Sequence, residues 1–178
     1  MEIELQMKEE KIKKESSSIT TPLLVFAASF GLAMMSGFYF YFVPHSHNWR
    51  VSQIVLIIHF ASGFTTFLPF IYFVIKHQRE KEKNSLYLFA PWKALRKAKN
   101  EATWHYRQRL WGHALYWSII IVLLSSFVVS VPAIFWYFGK VWLPGYAAYQ
   151  FTNATHFIFS VVATVLIWVH FGQRKKRK

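Results

Sequence analysis

The stretch THFIFSVVATVLIWVH, residues 155–170, decides the fold class. Two histidines, His156 and His170, bracket thirteen residues without a charge. A run this apolar and this long fits a helix in hydrocarbon better than a strand or a loop.

Three further uncharged runs surround it. They cover residues 22–43, 51–75 and 110–138, and the run that contains the quoted stretch extends over about 144–171. Each supplies the roughly 20 residues, at about 1.5 Å rise each, that a helix needs to cross a bilayer. Composition agrees, because 54% of the 178 residues are hydrophobic and 20% aromatic, more apolar surface than a soluble domain of this length can bury. The runs lack the short alternating segments of an outer-membrane barrel, so the expected class is all-α: an integral membrane four-helix bundle. Pro69 and Pro132 fall inside runs, where kinks are expected and neighbouring helices can satisfy the freed carbonyls.

Charge sets the expected orientation. Of 21 lysines and arginines, all but Arg50 and Lys140 lie in the leader (1–21), the loop 76–109 and the tail 174–178. The positive-inside rule makes that side cytoplasmic, with both termini there. The net charge of +13 is thereby read as facing lipid headgroups, and no nucleic-acid partner is expected. Within the basic loop, APWKALRKAKNEATWHYRQR reads as a surface helix with Pro91 in its first turn and Trp92 and Leu95 on one side, able also to dock a partner. The leader is expected to remain attached and not to act as a cleaved signal, since its apolar run is too long and follows a mixed acidic and basic segment. KESSSITTP reads as a short flexible lead-in to a first helix capped by Ser or Thr. No internal repeat is evident.

The chain has no cysteine, which excludes disulfides, thiolate catalysis, cysteine-ligated iron–sulfur clusters and covalently attached haem. Metal chemistry would rest on eight histidines. His59 and His156 lie at one depth, toward the outer side of the second and fourth runs. His113 and His170 lie at the other, near the cytoplasmic side. His156 and His170 are separated by fourteen residues, about 21 Å of rise and about 40° short of four turns, so both face one seam at two levels. Two haems held between helices, each with an imidazole above and below the iron, would use such a stacked arrangement as an electron path. Interhelical hydrogen bonding or interfacial anchoring is the competing reading, and it suits His113 and His170 better than His59 and His156. His45 and His47 are expected as outer-loop surface residues, and His105 and His77 at the headgroups. A membrane diiron enzyme would need clustered histidine boxes, which HSH and scattered single histidines do not supply.

At these residues the chain resembles the cytochrome b membrane subunits of formate dehydrogenases and nickel–iron hydrogenases, four-helix proteins with two haems b. The resemblance spans about 22–172. It is carried by LAMMSGFYFYFVP closing the first run, HFASG (His59 with Gly63) in the second, Tyr116–Trp117 in the third, and the paired histidines of the fourth. The resemblance implies an inner-membrane, respiratory electron-transfer subunit that is not itself the catalytic component. Haem b would pass electrons between a partner and quinone, with two haems expected and one as the alternative. It implies His59 and His156 as ligands of the outer haem and His170 as one ligand of the inner. The family's remaining inner ligand comes from the start of the first helix, and here that segment reads SSSITTPLL, without histidine. His113 is the substitute best placed by depth; an absent inner haem or a ligand from a partner are the other possibilities. Phe60, Phe64, Phe157 and Trp168 are candidates to pack on a macrocycle. The family's quinone site beside the inner haem would draw on His170, His113, Tyr106, Arg107 and Arg109. Partners would be catalytic, iron–sulfur or cytochrome c subunits. A haem-free anchor or assembly subunit is the alternative function.

Overall fold

The computed structural model describes residues 2–43, 48–81, 92, 96 and 103–175, with side chains for 20–43, 48–77, 92, 96, 106–170 and 172. Among the described residues the long helices are four: α1 (Glu2–Phe42), α2 (Trp49–Lys81), α3 (Thr103–Tyr137) and α4 (Tyr146–Lys175). Each contains a span long and apolar enough to cross a membrane, namely Thr20–Phe42, Trp49–His77, Tyr106–Tyr137 and Tyr146–His170. Among the described residues there is no strand. The chain is thus all-helical, with the make-up of a multi-pass membrane protein.

Two compact units divide the chain, Met1–Leu86 and Tyr87–Lys178, and each is an antiparallel helical hairpin. In the first, contacts run from Ala33 with His59, through Ser29 with Thr66, to Phe26 with Phe73, rising along α2 as they fall along α1. In the second, Val122 meets His156 and Gly112 meets His170 in the same sense.

Local chemistry explains the helix ends. Asn48 caps α2, its Oδ1 accepting from the Val51 amide at 3.4 Å. At the end of α3 the Lys140 amide donates to Phe135 O and the Gly139 amide to Trp136 O, both at 2.9 Å. That is the paired bonding of a Schellman turn, and it places Gly139 in the left-handed region at φ 71°, which a side chain would oppose.

Three boundaries differ from the sequence reading. KESSSITTP is not a loop and its Ser and Thr do not cap a helix: α1 runs unbroken from Glu2, with Pro22 inside it. In the sequence Glu4, Glu9 and Glu10 each precede a lysine by four residues, the spacing that supports a solvated helix. Likewise α2 continues six residues beyond 75, to Lys81, and α3 begins at Thr103, taking in the last part of the basic segment. Of that segment's remainder, Trp92 and Arg96 are helical and the rest lies outside the described residues.

Each hairpin buries small residues. Ser29, Ala33, Ser36, Ser62 and Thr66 are buried in the first; Ser118, Ser125 and Ala163 are buried in the second. Small side chains let helices approach closely, which matters where lipid gives little hydrophobic drive for association. The hydroxyls do not need outside partners, since most bond carbonyls a turn back, as Ser62 does to Ile58 O at 2.6 Å and Ser118 to Ala114 O at 2.8 Å. Larger residues close the gaps: Phe26 stacks among Phe30, Phe70 and Phe73 in the first hairpin, and Ile119, Val122 and Leu166 are buried in the second. Outward faces are apolar, with Leu24, Met35, Ile57, Leu68, Leu124, Ile158 and Trp168 all exposed. That is the surface expected toward lipid tails or other helices.

Candidate functional site

His59 stands ten residues into α2, and its ring is gripped by α1. Nδ1 lies 2.8 Å from the Ala33 carbonyl oxygen and 3.4 Å from Ser36 Oγ. A carbonyl can only accept, so Nδ1 carries a proton and donates it to Ala33 O. Ser36 spends its own proton backwards, on Leu32 O at 2.7 Å and Ala33 O at 3.0 Å, which leaves its oxygen to accept from the imidazole. Gly37 completes the seat. A Cβ there would stand 2.9 Å from His59 Cε1 and 3.1 Å from Nδ1, so the ring occupies the volume that any other residue would fill.

His156 stands ten residues into α4 and repeats the arrangement on α3. Its Nδ1 lies 3.1 Å from Val122 O and 3.3 Å from Ser125 Oγ. Ser125 turns its proton to Ile121 O at 2.6 Å and Val122 O at 3.0 Å, the same two positions behind it that Ser36 uses. Here, too, Nδ1 donates. In both hairpins the histidine lies about 15 Å along its helix from the connecting loop.

At the other end of the second hairpin, His170 packs on Gly112. A Cβ at that glycine would lie 3.5 Å from His170 Cε1 and 3.9 Å from Nδ1. His113 follows Gly112 directly, so the structure brings the region of these two histidines together in one hairpin. His113 Nε2, His170 Nδ1, Arg109 Nη1 and Trp117 Nε1 are all buried. The Trp117 indole has no hydrogen-bond partner among the described residues, and Tyr116 meets it edge-on at 5.5 Å. Tyr106 and Arg109 are half-buried, while Arg107 is exposed.

The other sequence candidates divide. His77 stacks on Phe73 at 5.4 Å at the far end of α2. His45 and His47, and the side chain of His105, lie outside the described residues. Phe60 is half-buried and meets His59 at 6.5 Å, and Phe157 is half-buried, but Phe64 and Trp168 are exposed at 54% and 79%. Among the described residues no three histidine, aspartate or glutamate side chains gather as a metal-binding group.

Sequence reasoning missed the seats of the histidines: the Ala33 and Val122 carbonyls, Ser36, Gly37, Ser125 and Gly112. A signal was present, in that SG at 36–37 and SS at 125–126 are small pairs deep inside apolar runs. Comparison with protein-family models, curated proteins and solved structures finds no match to this chain.

Proposed function

We propose that the chain is a b-type cytochrome membrane subunit that carries electrons through haem b between a partner oxidoreductase subunit and quinone. One observation carries the reading. Two histidines at matching positions in two hairpins each donate Nδ1–H to a backbone carbonyl, the outer-shell bond by which proteins set the tautomer of a ligating imidazole. A neutral imidazole held this way would offer Nε2 to iron, and both histidines lie in spans where a polar side chain without function is costly to insert.

His59 and His156 would hold one haem, the outer, and His170 with His113 a second, the inner. Bound haem supplies one-electron redox chemistry. The protein holds the imidazoles, excludes water with apolar spans, and at His170, His113, Tyr106, Arg107 and Arg109 offers donors to a quinone carbonyl. A histidine near the water boundary relays the proton that quinone reduction takes up. The basic leader, loop and tail lie in the cytoplasm and the four helices form a bundle in the inner membrane. With no cysteine and no nucleotide-binding glycine motif, a docked catalytic subunit with its own cofactor supplies or consumes the electrons.

A haem-free anchor is the second reading, favoured by the absence of histidine from α1 and by the helix-bridging role that His59 and His156 already have. Haem stoichiometry with a reduced-minus-oxidised spectrum on the purified protein, or its parent complex, separates the two. Two b haems per chain support the full reading and one leaves His170 to quinone. None moves the chain to the anchor.

A further inference from the structure

The two outer histidines are seated by one device, built twice from residues whose positions in sequence do not match. On the first helix of each hairpin a carbonyl at one position and a serine three residues later face the same imidazole nitrogen: Ala33 with Ser36, and Val122 with Ser125. Each serine has its proton committed to carbonyls of its own helix, which makes its oxygen an acceptor toward the ring. Acceptors beside Nδ1–H make the imidazole more electron-rich at Nε2.

We propose that Ser36 with Gly37, and Ser125, are positioning residues. Together with the Ala33 and Val122 carbonyls they lock the protons of His59 and His156 on Nδ1, keep Nε2 as the ligating nitrogen, and hold the potential of the iron it binds low. The link to iron rests on the cytochrome reading, whereas the tautomer lock stands on the hairpins alone. The two seats differ in one respect: Gly37 yields its side-chain volume to His59, while Ser126 occupies the equivalent place on α3 and bonds Leu123 O at 2.8 Å. A methyl group at position 37 therefore disturbs one histidine and spares the other.

Imidazole nitrogen NMR on the full chain in detergent, before haem is added, reads the lock directly. Substitution His59→Gln or His156→Gln assigns the signals. Both rings are expected with the proton on Nδ1, and Gly37→Ala is expected to mix the tautomers of His59 while leaving His156 unchanged. A proton on Nε2 in either ring of the unaltered protein, or a His59 tautomer indifferent to Gly37→Ala, overturns the lock. With haem bound, Ser36→Ala and Ser125→Ala are expected to raise the midpoint potential with the low-spin spectrum retained, and Ser36→Thr and Ser125→Thr to restore it. Gly37→Ala is expected to weaken haem retention by about 10- to 100-fold, as loss of outer-shell partners does. Unchanged potentials in both alanine variants overturn the tuning role. A protein that takes up no haem refutes the cytochrome reading, and the NMR result still decides the lock.

Discussion

Thr66 Oγ1 lies 3.0 Å from Ser29 Oγ, with Thr66 only 1% exposed, and this is a hydroxyl pair bridging α1 and α2 inside a membrane-spanning hairpin. The threonine proton is shared between Ser29 Oγ and Ser62 O at 2.8 Å, while Ser29 donates to Val25 O at 2.8 Å. The Thr66→Val change keeps the shape and removes the bridge. Since Ser29 retains its own bond, no buried donor is stranded, and the expected cost is about 0.6 kcal/mol, at most about 1.7. Unfolding in mixed micelles checks this, with Ser29→Ala as the second arm of a cycle. Coupling near zero between the two changes would mean that the bridge contributes nothing to the hairpin.

Ala163 is fully buried on α4, seven residues from His156 and seven from His170, in the seam toward α3. Ala163→Leu is expected to destabilise the second hairpin by about 1–3 kcal/mol through overpacking and to disturb both histidine seats at once. Leu124, one position past the buried Leu123 and 61% exposed, makes the control: Leu124→Ala should alter stability little. The same unfolding assay reads both variants.

What the sequence made legible was whatever depends on runs of side chains. Four uncharged runs gave four spans within a few residues, because an apolar run in hydrocarbon has no good alternative to helix. That His59 and His156 lie at similar distances from the starts of their helices was legible too. The seats were not, because Ala33 and Val122 act through backbone carbonyls that no side-chain pattern encodes. Their repetition was hidden as well. Twenty-six residues separate Ala33 from His59 and thirty-four separate Val122 from His156, so the two hairpins reach one geometry with different loop and helix lengths. The extension of α1 back to Glu2 was obscured by Pro22 and the serines before it, which read as a break although proline is tolerated inside a helix when neighbours or water satisfy the freed group.

His113 carries the weakest link of the cytochrome proposal, since α1 supplies no histidine to an inner haem. It sits beside Gly112, against which His170 packs, so the two histidines belong to one hairpin. His113→Ala is expected to halve the haem content, leaving the outer haem with its low-spin spectrum, and His59→Ala to remove the complementary half. Full haem content and an unchanged spectrum in His113→Ala would show that the ligand comes from elsewhere. Quantitative haem extraction per chain, read beside the spectrum, distinguishes these outcomes.

The orientation is open to a clean test because the chain has no cysteine to remove. Nineteen of the twenty-one lysines and arginines belong to the leader, the loop between the hairpins and the tail, while Lys140 sits in the turn that Gly139 forms after α3. A single cysteine at Lys140→Cys should react with a membrane-impermeant maleimide applied to intact cells stripped of any outer barrier. One at Lys178→Cys should react only after the membrane is opened. Positive charge near span ends biases insertion by a few residues' worth of lysine and arginine, so the asymmetry here is large for that rule. Reversing it locally provides the stronger arm: adding four lysines beside Lys140 while neutralising the tail should leave the second hairpin mixed in orientation, read as partial labelling at both sites. Labelling of Lys178→Cys from outside in the unaltered background would place the basic segments on the opposite face and remove the cytoplasmic quinone site from the proposal.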